Sequence, residues 1–426
     1  MMKGSIAGLT RLPIAYELLH QTPVGPQEIA TSGRVTLLVD APFEESGQLA
    51  LAVGDDVTTG QKLLPLKDST AYAISSVTGT VADIAPHIGD FGRTATAVQI
   101  QTDPADSIDE AFSGAEPTLD TLSSFLAGAP GNPSFDVFNH PEKPIHTVVI
   151  CGLDIDLLVA TNQYIIKAES HAVEKGIEVL KTATGVETVV IAVPRDLVQG
   201  FGHTNADRLI AVDNDYPAAH PRLILHRAFG KEVPATQTPE DLGFTFMSAE
   251  AAASIGKAFD TGRLPVFKTV TLIEKTGRKR IVSARIGTPI SEILKAGQVD
   301  TADRDRLIIG GPMRGTATHS ETHPVQPDTD AVMVQARESV SLVSDYPCIN
   351  CGECIPACPT RIQVNMLVRF LEAGQYETAA EEYDLHSCID CGLCSYICVS
   401  QIPIFQYIRL AKYELSRLNA VEASND

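Results

Sequence analysis

Two cysteine-rich stretches decide the fold of the C-terminal part of the chain: Cys348-Ile-Asn-Cys351-Gly-Glu-Cys354-Ile-Pro-Ala-Cys358-Pro359 and Cys388-Ile-Asp-Cys391-Gly-Leu-Cys394-Ser-Tyr-Ile-Cys398. Both have the spacing C-x2-C-x2-C-x3-C, which is typical of ligands to [4Fe–4S] clusters. Gly352 and Gly392 permit tight turns and bring backbone N–H groups towards the sulfur atoms. Eight of the nine cysteines therefore predict two [4Fe–4S] clusters.

The fourth cysteine of each run is expected to bind the other cluster, as it does in two-cluster ferredoxins with this spacing. The predicted ligand sets are Cys348, Cys351, Cys354 and Cys398 for cluster 1, and Cys388, Cys391, Cys394 and Cys358 for cluster 2. The alternative is zinc, which usually takes two C-x2-C pairs per tetrahedral ion. A third cysteine at the same interval in both runs favours iron–sulfur clusters, which pass single electrons between a donor and an acceptor.

The residues between the two runs have a helical pattern. Val364, Leu367, Val368 and Leu371 recur at three- and four-residue spacing, Gly374 breaks the pattern, and a second helix is predicted over 377–383. A further amphipathic helix is predicted over 404–418. We therefore predict an α-helical dicluster domain over 346–418, followed by a tail over 419–426.

Upstream of the cysteines, residues 144–262 alternate between strand and helix. Strands are predicted over 146–150 and 188–193, with one long helix over 158–183 between them, which indicates an α/β domain. Cys151, at the end of the first strand, is predicted to be an ordinary core cysteine.

Two β-rich modules flank this α/β domain. Residues 1–103 carry short strands between Gly and Asp turns and resemble the barrel-sandwich hybrid of lipoyl and biotinyl carriers. They have no Lys at the hairpin tip to be acylated, so we predict a scaffold. Residues 263–345, with Gly287-Thr288-Pro289 before a short apolar helix, look like an SLBB-type β-grasp domain that returns to the barrel module.

Residues 104–143 combine acidic residues with Pro, Gly and Ser, and no Lys or Arg occurs between Arg93 and Lys143. This composition predicts an exposed acidic linker that contains one short helix over 118–127 and a Gly-rich loop. An acidic docking strip is the alternative.

The composition of the whole chain limits the partners. Its 426 residues contain 33 Lys plus Arg and 53 Asp plus Glu, a formal net charge of −20, which argues against nucleic acid as a partner. No stretch has the 18 or so uninterrupted apolar residues of a spanning helix, and the N-terminus lacks an apolar core of signal-peptide length. We therefore expect a cytoplasmic protein.

The order of modules resembles RnfC, a peripheral component of Rnf-type electron transport complexes, which are ion-translocating ferredoxin:NAD oxidoreductases. Besides the dicluster, the most specific stretches are Gly310-Gly311-Pro312-Met313-Arg314-Gly315 and Ile402-Pro403-Ile404-Phe405-Gln406-Tyr407-Ile408-Arg409. The resemblance implies an α/β domain like that of the flavin subunit of complex I, with FMN and hydride exchange with NAD(H). It also implies partner subunits of a membrane-bound redox complex, and a peripheral position on the inner face of the membrane.

The flavin motifs of that family are altered in this chain. The Gly-rich loop GGAGFPTxxKL corresponds to 128–138, where Gly128 and Gly131 remain but Val137 takes the Lys position beside Asp136. The motif NGAECEP corresponds to 151–157, where Asp154 and Asp156 replace the longer carboxylates. Loss of the cation weakens attraction for a phosphate. Residues Gly128, Gly131, Asp154 and Asp156 are thus the candidate FMN ligands of a degenerate site.

Three hypotheses follow from the sequence. The preferred one is an electron-transfer subunit that relays electrons through two [4Fe–4S] clusters between a soluble or membrane-bound redox protein and a membrane complex, without nicotinamide chemistry of its own. The second is an NADH dehydrogenase subunit in which the altered loop still binds FMN. The third is an assembly adaptor in which the clusters are structural.

Overall fold

A computed structural model of the chain describes residues 14–20, 25–43, 49–67, 69–200, 205–344 and 346–425. The strands are β1 Gln27–Glu28, β2 Arg34–Val39, β3 Asp56–Val57, β4 Lys62–Leu63, β5 Ala73–Ile74, β6 Gly79–Ile88, β7 Thr94–Thr102, β8 Thr147–Cys151, β9 Thr188–Pro194, β10 Arg208–Val212, β11 Phe244–Ser248, β12 Phe267–Ile273, β13 Lys279–Arg285, β14 Arg306–Ile309, β15 Thr316–Thr318 and β16 Ala331–Gln335. The α-helices are α1 Leu119–Phe125, α2 Thr161–Ala168, α3 Ser170–Thr184, α4 Pro221–Phe229, α5 Ala249–Thr261, α6 Ile290–Gly297, α7 Cys354–Ala357, α8 Val364–Glu372, α9 Tyr376–Glu382, α10 Leu393–Ile397 and α11 Ile404–Asn425.

The chain forms two compact units. The first, here called the helical unit, consists of Met1–Tyr16, Asp215–Thr238 and Glu338–Asp426. The second, here called the α/β unit, consists of Glu17–Asn214 and Pro239–Arg337 and contains all the strands named above.

A parallel sheet forms the middle layer of the α/β unit, with the strand order β10-β9-β8-β11. Its central strands are nearly continuous apolar runs because helices pack against a parallel sheet and bury it. The single long helix predicted over 158–183 is wrong. The structure has two helices, α2 and α3, separated at Glu169, whose ψ of 31° lies outside the helical range.

Helices α3 and α5 cross at very short range because glycines occupy the crossing point. A Cβ atom at Gly176 would lie 1.9 Å from the carbonyl oxygen of Ala252, and one at Gly256 would lie 1.9 Å from that of Ala172. Ser248 caps α5 by accepting a hydrogen bond from the backbone N–H of Ala251 at 3.0 Å.

The segment 104–143 is not the exposed linker that its composition predicted. Phe112, Leu122 and Phe135 are buried in the core of the α/β layer, and α1 begins after the capping residue Thr118. The acidic side chains face solvent while the apolar ones point inwards, so the average composition hid an ordinary amphipathic pattern.

Three further sheets, which are antiparallel or mixed, belong to the α/β unit. One sheet has the order β2-β7-β6-β3, a two-stranded ladder joins β4 to β5, and a six-stranded mixed sheet has the order β1-β13-β12-β16-β14-β15. Strand β1 lies inside the predicted N-terminal module, yet it pairs with β13, in the predicted β-grasp region. Residues 1–13 of that module lie outside the described residues.

The helical unit differs from the predicted segmentation in two ways. Asp215–Thr238, with α4, belongs to it although the sequence placed this stretch within the α/β domain at 144–262. Helix α11 continues to Asn425, so the predicted tail at 419–426 is helical as far as it is described. Helices α8 and α9 lie on either side of Gly374, whose φ of 70° supports the turn.

None of the helices in the described residues is both long enough and apolar enough to cross a lipid bilayer.

Candidate metal centre

The two cysteine runs have the same backbone conformation at an offset of 40 residues. Asn350 and Asp390 are both in the left-handed region, with φ of 58° and 53°, and so are Gly352 and Gly392, with φ of 77° and 75°. A short helix that begins at or just before the third cysteine follows in each run, α7 in the first and α10 in the second. The helical unit is therefore built on an internal repeat.

Three cysteines of the first run and one of the second line one cavity of the helical unit. Its wall includes Cys348, Cys351, Cys354 and Cys398, together with Ile349, Asn365, Val368 and Ser400. The cavity has about 350 Å³ of space, including its opening to solvent. The fourth cysteine of the second run thus lies with the first three cysteines of the first run, as the crossed arrangement requires.

The other four cysteines also lie together. Burial raises the pKa of the Cys394 thiol well above its usual value, and the neighbouring Cys388, Cys391 and Cys358 raise it further. For Cys354, burial followed by Cys351, Cys348 and Cys398 raises the pKa to about 12. Cys354 and Cys394 therefore each lie near the other three cysteines of the set to which the sequence assigns them.

The environment of these thiols suits cysteines bound to a metal cluster better than free cysteines. A thiolate is the form that binds metal, and burial among other sulfurs makes the free thiolate unfavourable unless positive charge is supplied. Bound iron would supply that charge. The donor set, two groups of four cysteines packed among buried apolar side chains, is that of [4Fe–4S] ligation.

No group of three or more His, Cys, Asp or Glu within the described ranges is close enough to hold a single metal ion. Four ligands of one zinc ion would lie within about 4 Å of each other, since Zn–S bonds are about 2.3 Å long. The ligands of a cubane cluster bind separate iron atoms and are spread more widely.

Backbone N–H groups point at the first cysteine of each run. The N–H of Asn350 donates to Cys348 Sγ, and that of Asp390 donates to Cys388 Sγ, both at 3.4 Å. Hydrogen bonds to sulfur are one determinant of the reduction potential of a cluster.

The second set has polar support that sequence reasoning missed. Lys412 Nζ, on α11, donates to the Cys388 carbonyl at 2.7 Å and pairs with Asp390 at 2.9 Å. The Tyr216 hydroxyl donates to the Cys391 carbonyl at 2.7 Å. The sequence carries no signal for the tyrosine contact because 175 residues separate the partners.

The candidate flavin carboxylates are engaged by the chain itself. Asp154 accepts hydrogen bonds from the backbone N–H groups of Asn162 and Gln163, at the start of α2, at 2.8 and 3.4 Å. Burial, with the charge of Asp330 nearby, raises the pKa of Asp154 to about 6.

Asp156 holds the loop 310–315. Its carboxylate accepts from the N–H groups of Met313 at 3.1 Å and Arg314 at 2.8 Å, and a Cβ at Gly311 would lie 2.6 Å from its Cγ. The pKa of Asp156 is raised by burial in spite of these bonds.

The two candidate glycines differ. Gly131 has a φ of 85° and donates to the Pro327 carbonyl at 2.8 Å, and a Cβ there would lie 2.3 Å from the backbone nitrogen of Ala251. Gly131 is thus packed against the first turn of α5. A Cβ at Gly128 would meet no atom within 4 Å.

A buried charge cluster lies in the same unit. Lys268 is fully buried and its Nζ pairs with Glu250 and with Asp330, the latter at 2.8 Å. The two carboxylates hold the pKa of Lys268 above its usual value in spite of burial. The position of this lysine within the apolar run 266–273 is the sequence signal that could have indicated the buried charge cluster.

These features define a class of protein: an iron–sulfur dicluster protein whose helical unit is joined to a larger α/β unit. The sequence of residues 345–402 matches the family described as the 4Fe-4S dicluster domain.

Relatives match most of the chain, and their names refer to particular redox complexes. The chain is 28% identical over 430 residues to the C component of the ion-translocating oxidoreductase complex of Pseudomonas aeruginosa, a match that covers 95% of this chain and 54% of that protein. It is 24% identical to the C component of the Na(+)-translocating ferredoxin:NAD(+) oxidoreductase complex of Acetobacterium woodii, over 76% of this chain and 78% of that protein. The predicted resemblance to RnfC is confirmed. The chain spans about half the length of the Pseudomonas protein.

Among solved structures, a chain of an NAD+-reducing [NiFe]-hydrogenase in the H2-reduced state superposes with a TM-score of 0.46 and 10% identity, over 74% of this chain and 69% of that chain.

Proposed function

We propose that this protein is the RnfC-type electron-transfer component of an Rnf complex, and that it relays single electrons through two [4Fe–4S] clusters between a redox partner and the membrane-bound part of the complex. The observation that carries the proposal is the grouping of the eight cysteines into two sets, each drawn from both runs. The names of the relatives support the setting in a ferredoxin:NAD+ oxidoreductase.

Cys348, Cys351, Cys354 and Cys398 would hold cluster 1, and Cys388, Cys391, Cys394 and Cys358 would hold cluster 2. When bound, the clusters supply one-electron oxidation and reduction. The surrounding residues influence the charge at the cluster ligands. The N–H groups of Asn350 and Asp390 stabilise negative charge on sulfur, and Lys412 neutralises Asp390 beside the second set.

We further propose that the chain works without a resident flavin. What supports this is the use of Asp154 and Asp156 as acceptors for the chain's own N–H groups, together with Val137 at the position of the family's lysine. An FMN-containing NADH dehydrogenase subunit remains the alternative function, with Gly128, Gly131, Asp154 and Asp156 as its flavin residues.

The finer fold assignment and the location belong to the same proposal. The antiparallel sheet β2-β7-β6-β3 with the ladder β4-β5 suits a barrel-sandwich hybrid, and the sheet around β12 and β13 with α6 suits an SLBB-type β-grasp domain. We place the protein at the inner face of the membrane, held there by partner subunits, since the relatives are components of ion-translocating complexes.

The test is anaerobic purification of the full chain, followed by iron, acid-labile sulfide and flavin analysis and by visible spectra with NADH and then dithionite. We expect about eight iron atoms per chain, no flavin, no bleaching by NADH and bleaching by dithionite. Stoichiometric FMN with bleaching by NADH would establish the alternative. Clusters that dithionite does not reduce would indicate a structural role, as in an assembly adaptor.

A further inference from the structure

The surroundings of the two cysteine runs differ most at the residue after the first cysteine. Ile349 is 66% exposed, whereas Ile389, its counterpart 40 residues later, is 4% exposed. Cys351 is likewise exposed and its counterpart Cys391 is buried. The internal repeat therefore presents one of its two sulfur-rich loops to solvent and hides the other.

The second loop is hidden by other parts of the helical unit. The Tyr216 hydroxyl bonds to the Cys391 carbonyl, and its ring packs edge-on against Tyr16 at a centroid distance of 5.5 Å. The N–H of Tyr216 donates to the Ile14 carbonyl at 2.9 Å. Residues from a distant part of the sequence therefore cover the second loop.

Exposed apolar side chains surround the first loop. We call them the loop 1 patch, which consists of Leu342, Val343, Tyr346, Ile349 and Val399; their exposed fractions range from 61% to 80%. The Ser344 N–H donates to the Gln401 carbonyl at 3.1 Å, which ties the segment before the first run to the turn that follows Cys398. Ile349 and Ser400 line the same cavity. The patch therefore comes from the segment before the first run, from the first loop and from the turn after Cys398, and Ile349 belongs to the cavity wall.

Charge selects among the occupants of this patch. Residues 338–360 include Glu338, Asp345 and Glu353, Arg337 and Arg361 stand just outside the two ends, and the whole chain has a formal net charge of −20. A second copy of this chain, at a formal charge of −20, and an anionic lipid surface would both be repelled. A protein with an apolar contact face and a basic rim would be attracted.

The geometry points to the loop 1 patch as the docking surface for an electron-carrier protein whose own redox group lies near its surface, under apolar residues and within a rim of Lys and Arg. This inference rests on the proposed function. Docking there excludes water around Cys351 and brings the two redox groups close. Exchange moves one electron, which the cluster bound by Cys348, Cys351, Cys354 and Cys398 loses and the carrier gains, or the reverse.

The test uses mitochondrial cytochrome c as the probe, because lysines surround its exposed haem edge. Holoprotein is reduced with dithionite, freed of excess dithionite by anaerobic desalting, and mixed with ferric cytochrome c in a stopped-flow instrument, at low and high salt. We expect Tyr346→Ser to lower the second-order rate constant about tenfold, since tyrosine is among the residues that dominate interfaces, and Leu342→Ser to lower it by a smaller factor. The wild-type rate should fall as salt rises.

The matched control is Ile88→Ser, because Ile88 is 73% exposed at the end of β6 in the α/β unit. It should reduce cytochrome c at the wild-type rate. Ferricyanide, a small acceptor with no docking face, should oxidise all variants equally, and iron content should be unchanged.

Equal cytochrome c rates for wild type and both patch variants would overturn the docking surface while leaving the relay intact. So would sedimentation showing a wild-type dimer that Tyr346→Ser dissociates, or binding to anionic vesicles that Tyr346→Ser abolishes. Wild-type protein that ferricyanide does not oxidise after dithionite treatment would instead contradict the proposed function itself.

Discussion

At the scale of single residues, two carboxylates in the α/β unit accept hydrogen bonds from the backbone of the chain itself. Asp156 holds a loop that lies 157 residues away, and Asp154 caps the start of α2. Both are buried, and their hydrogen bonds come mainly from backbone N–H groups. The loop 310–315 is one of the most distinctive parts of the sequence, and its close contact with Asp156 gives a physical reason for the glycine at 311.

Asp154 makes stability depend on pH. Its pKa of about 6 in the folded protein lies above its usual value of 3.8, so the folded state binds the proton more tightly. The stabilisation from this group is complete below about pH 4 and is lost as pH rises through 6. Asp154→Asn stays neutral, so between pH 5 and 7 wild type should lose about 1 kcal/mol relative to the variant. Thermal unfolding at pH 5, 6 and 7 measures this, and parallel curves for the two proteins would contradict it.

At the scale of elements, the crossing of α3 and α5 depends on two glycines. Each glycine faces a backbone carbonyl of the other helix, so a methyl group there has no room. Gly176→Ala or Gly256→Ala would gain about 1 kcal/mol of helix propensity but force the helices apart.

We expect each of these two variants to lose about 1–3 kcal/mol of unfolding free energy in urea, followed by circular dichroism. Gly128→Ala is the control, because a Cβ there meets no atom within 4 Å, and its stability should change by less than about 0.5 kcal/mol. If Gly176→Ala were as stable as wild type, the two helices could separate without cost, and the prediction would be wrong.

At the scale of the whole molecule, the cysteines are part of the core of one unit. Cys354 and Cys394 are buried with Leu367, Val368 and Leu385 in the helical unit, whereas the α/β unit has cores of its own. Removal of iron would leave a void among these side chains. The cysteines would stay buried without the metal, and their thiolate form is costly there.

Chelation of iron under reducing conditions should therefore unfold the helical unit and leave the α/β unit folded. Hydrogen exchange followed by mass spectrometry should show loss of protection in α8, α9 and α10 and retained protection in β8, β9 and β12. Uniform loss of protection in both units, or none in either, would contradict this account.

How much the sequence reveals depends on the range of the interactions. The cysteine runs and the turn at Gly374 are local patterns, so they could be predicted residue by residue. Composition misled at 104–143, because Phe112, Leu122 and Phe135 are few among many acidic residues yet are the ones buried. The contact between Tyr216 and Cys391 joins distant segments, and no local pattern encodes it.

The most direct test of the central claim is the iron content of paired cysteine variants, purified anaerobically. Cys348 and Cys398 belong to one proposed set, so C348S/C398S should lose one cluster and keep about four iron atoms per chain. Cys388 and Cys398 belong to different sets, so C388S/C398S should lose both clusters and retain almost no iron. The reverse pattern would show that each run binds its own cluster and would contradict the crossed relay proposed for this protein.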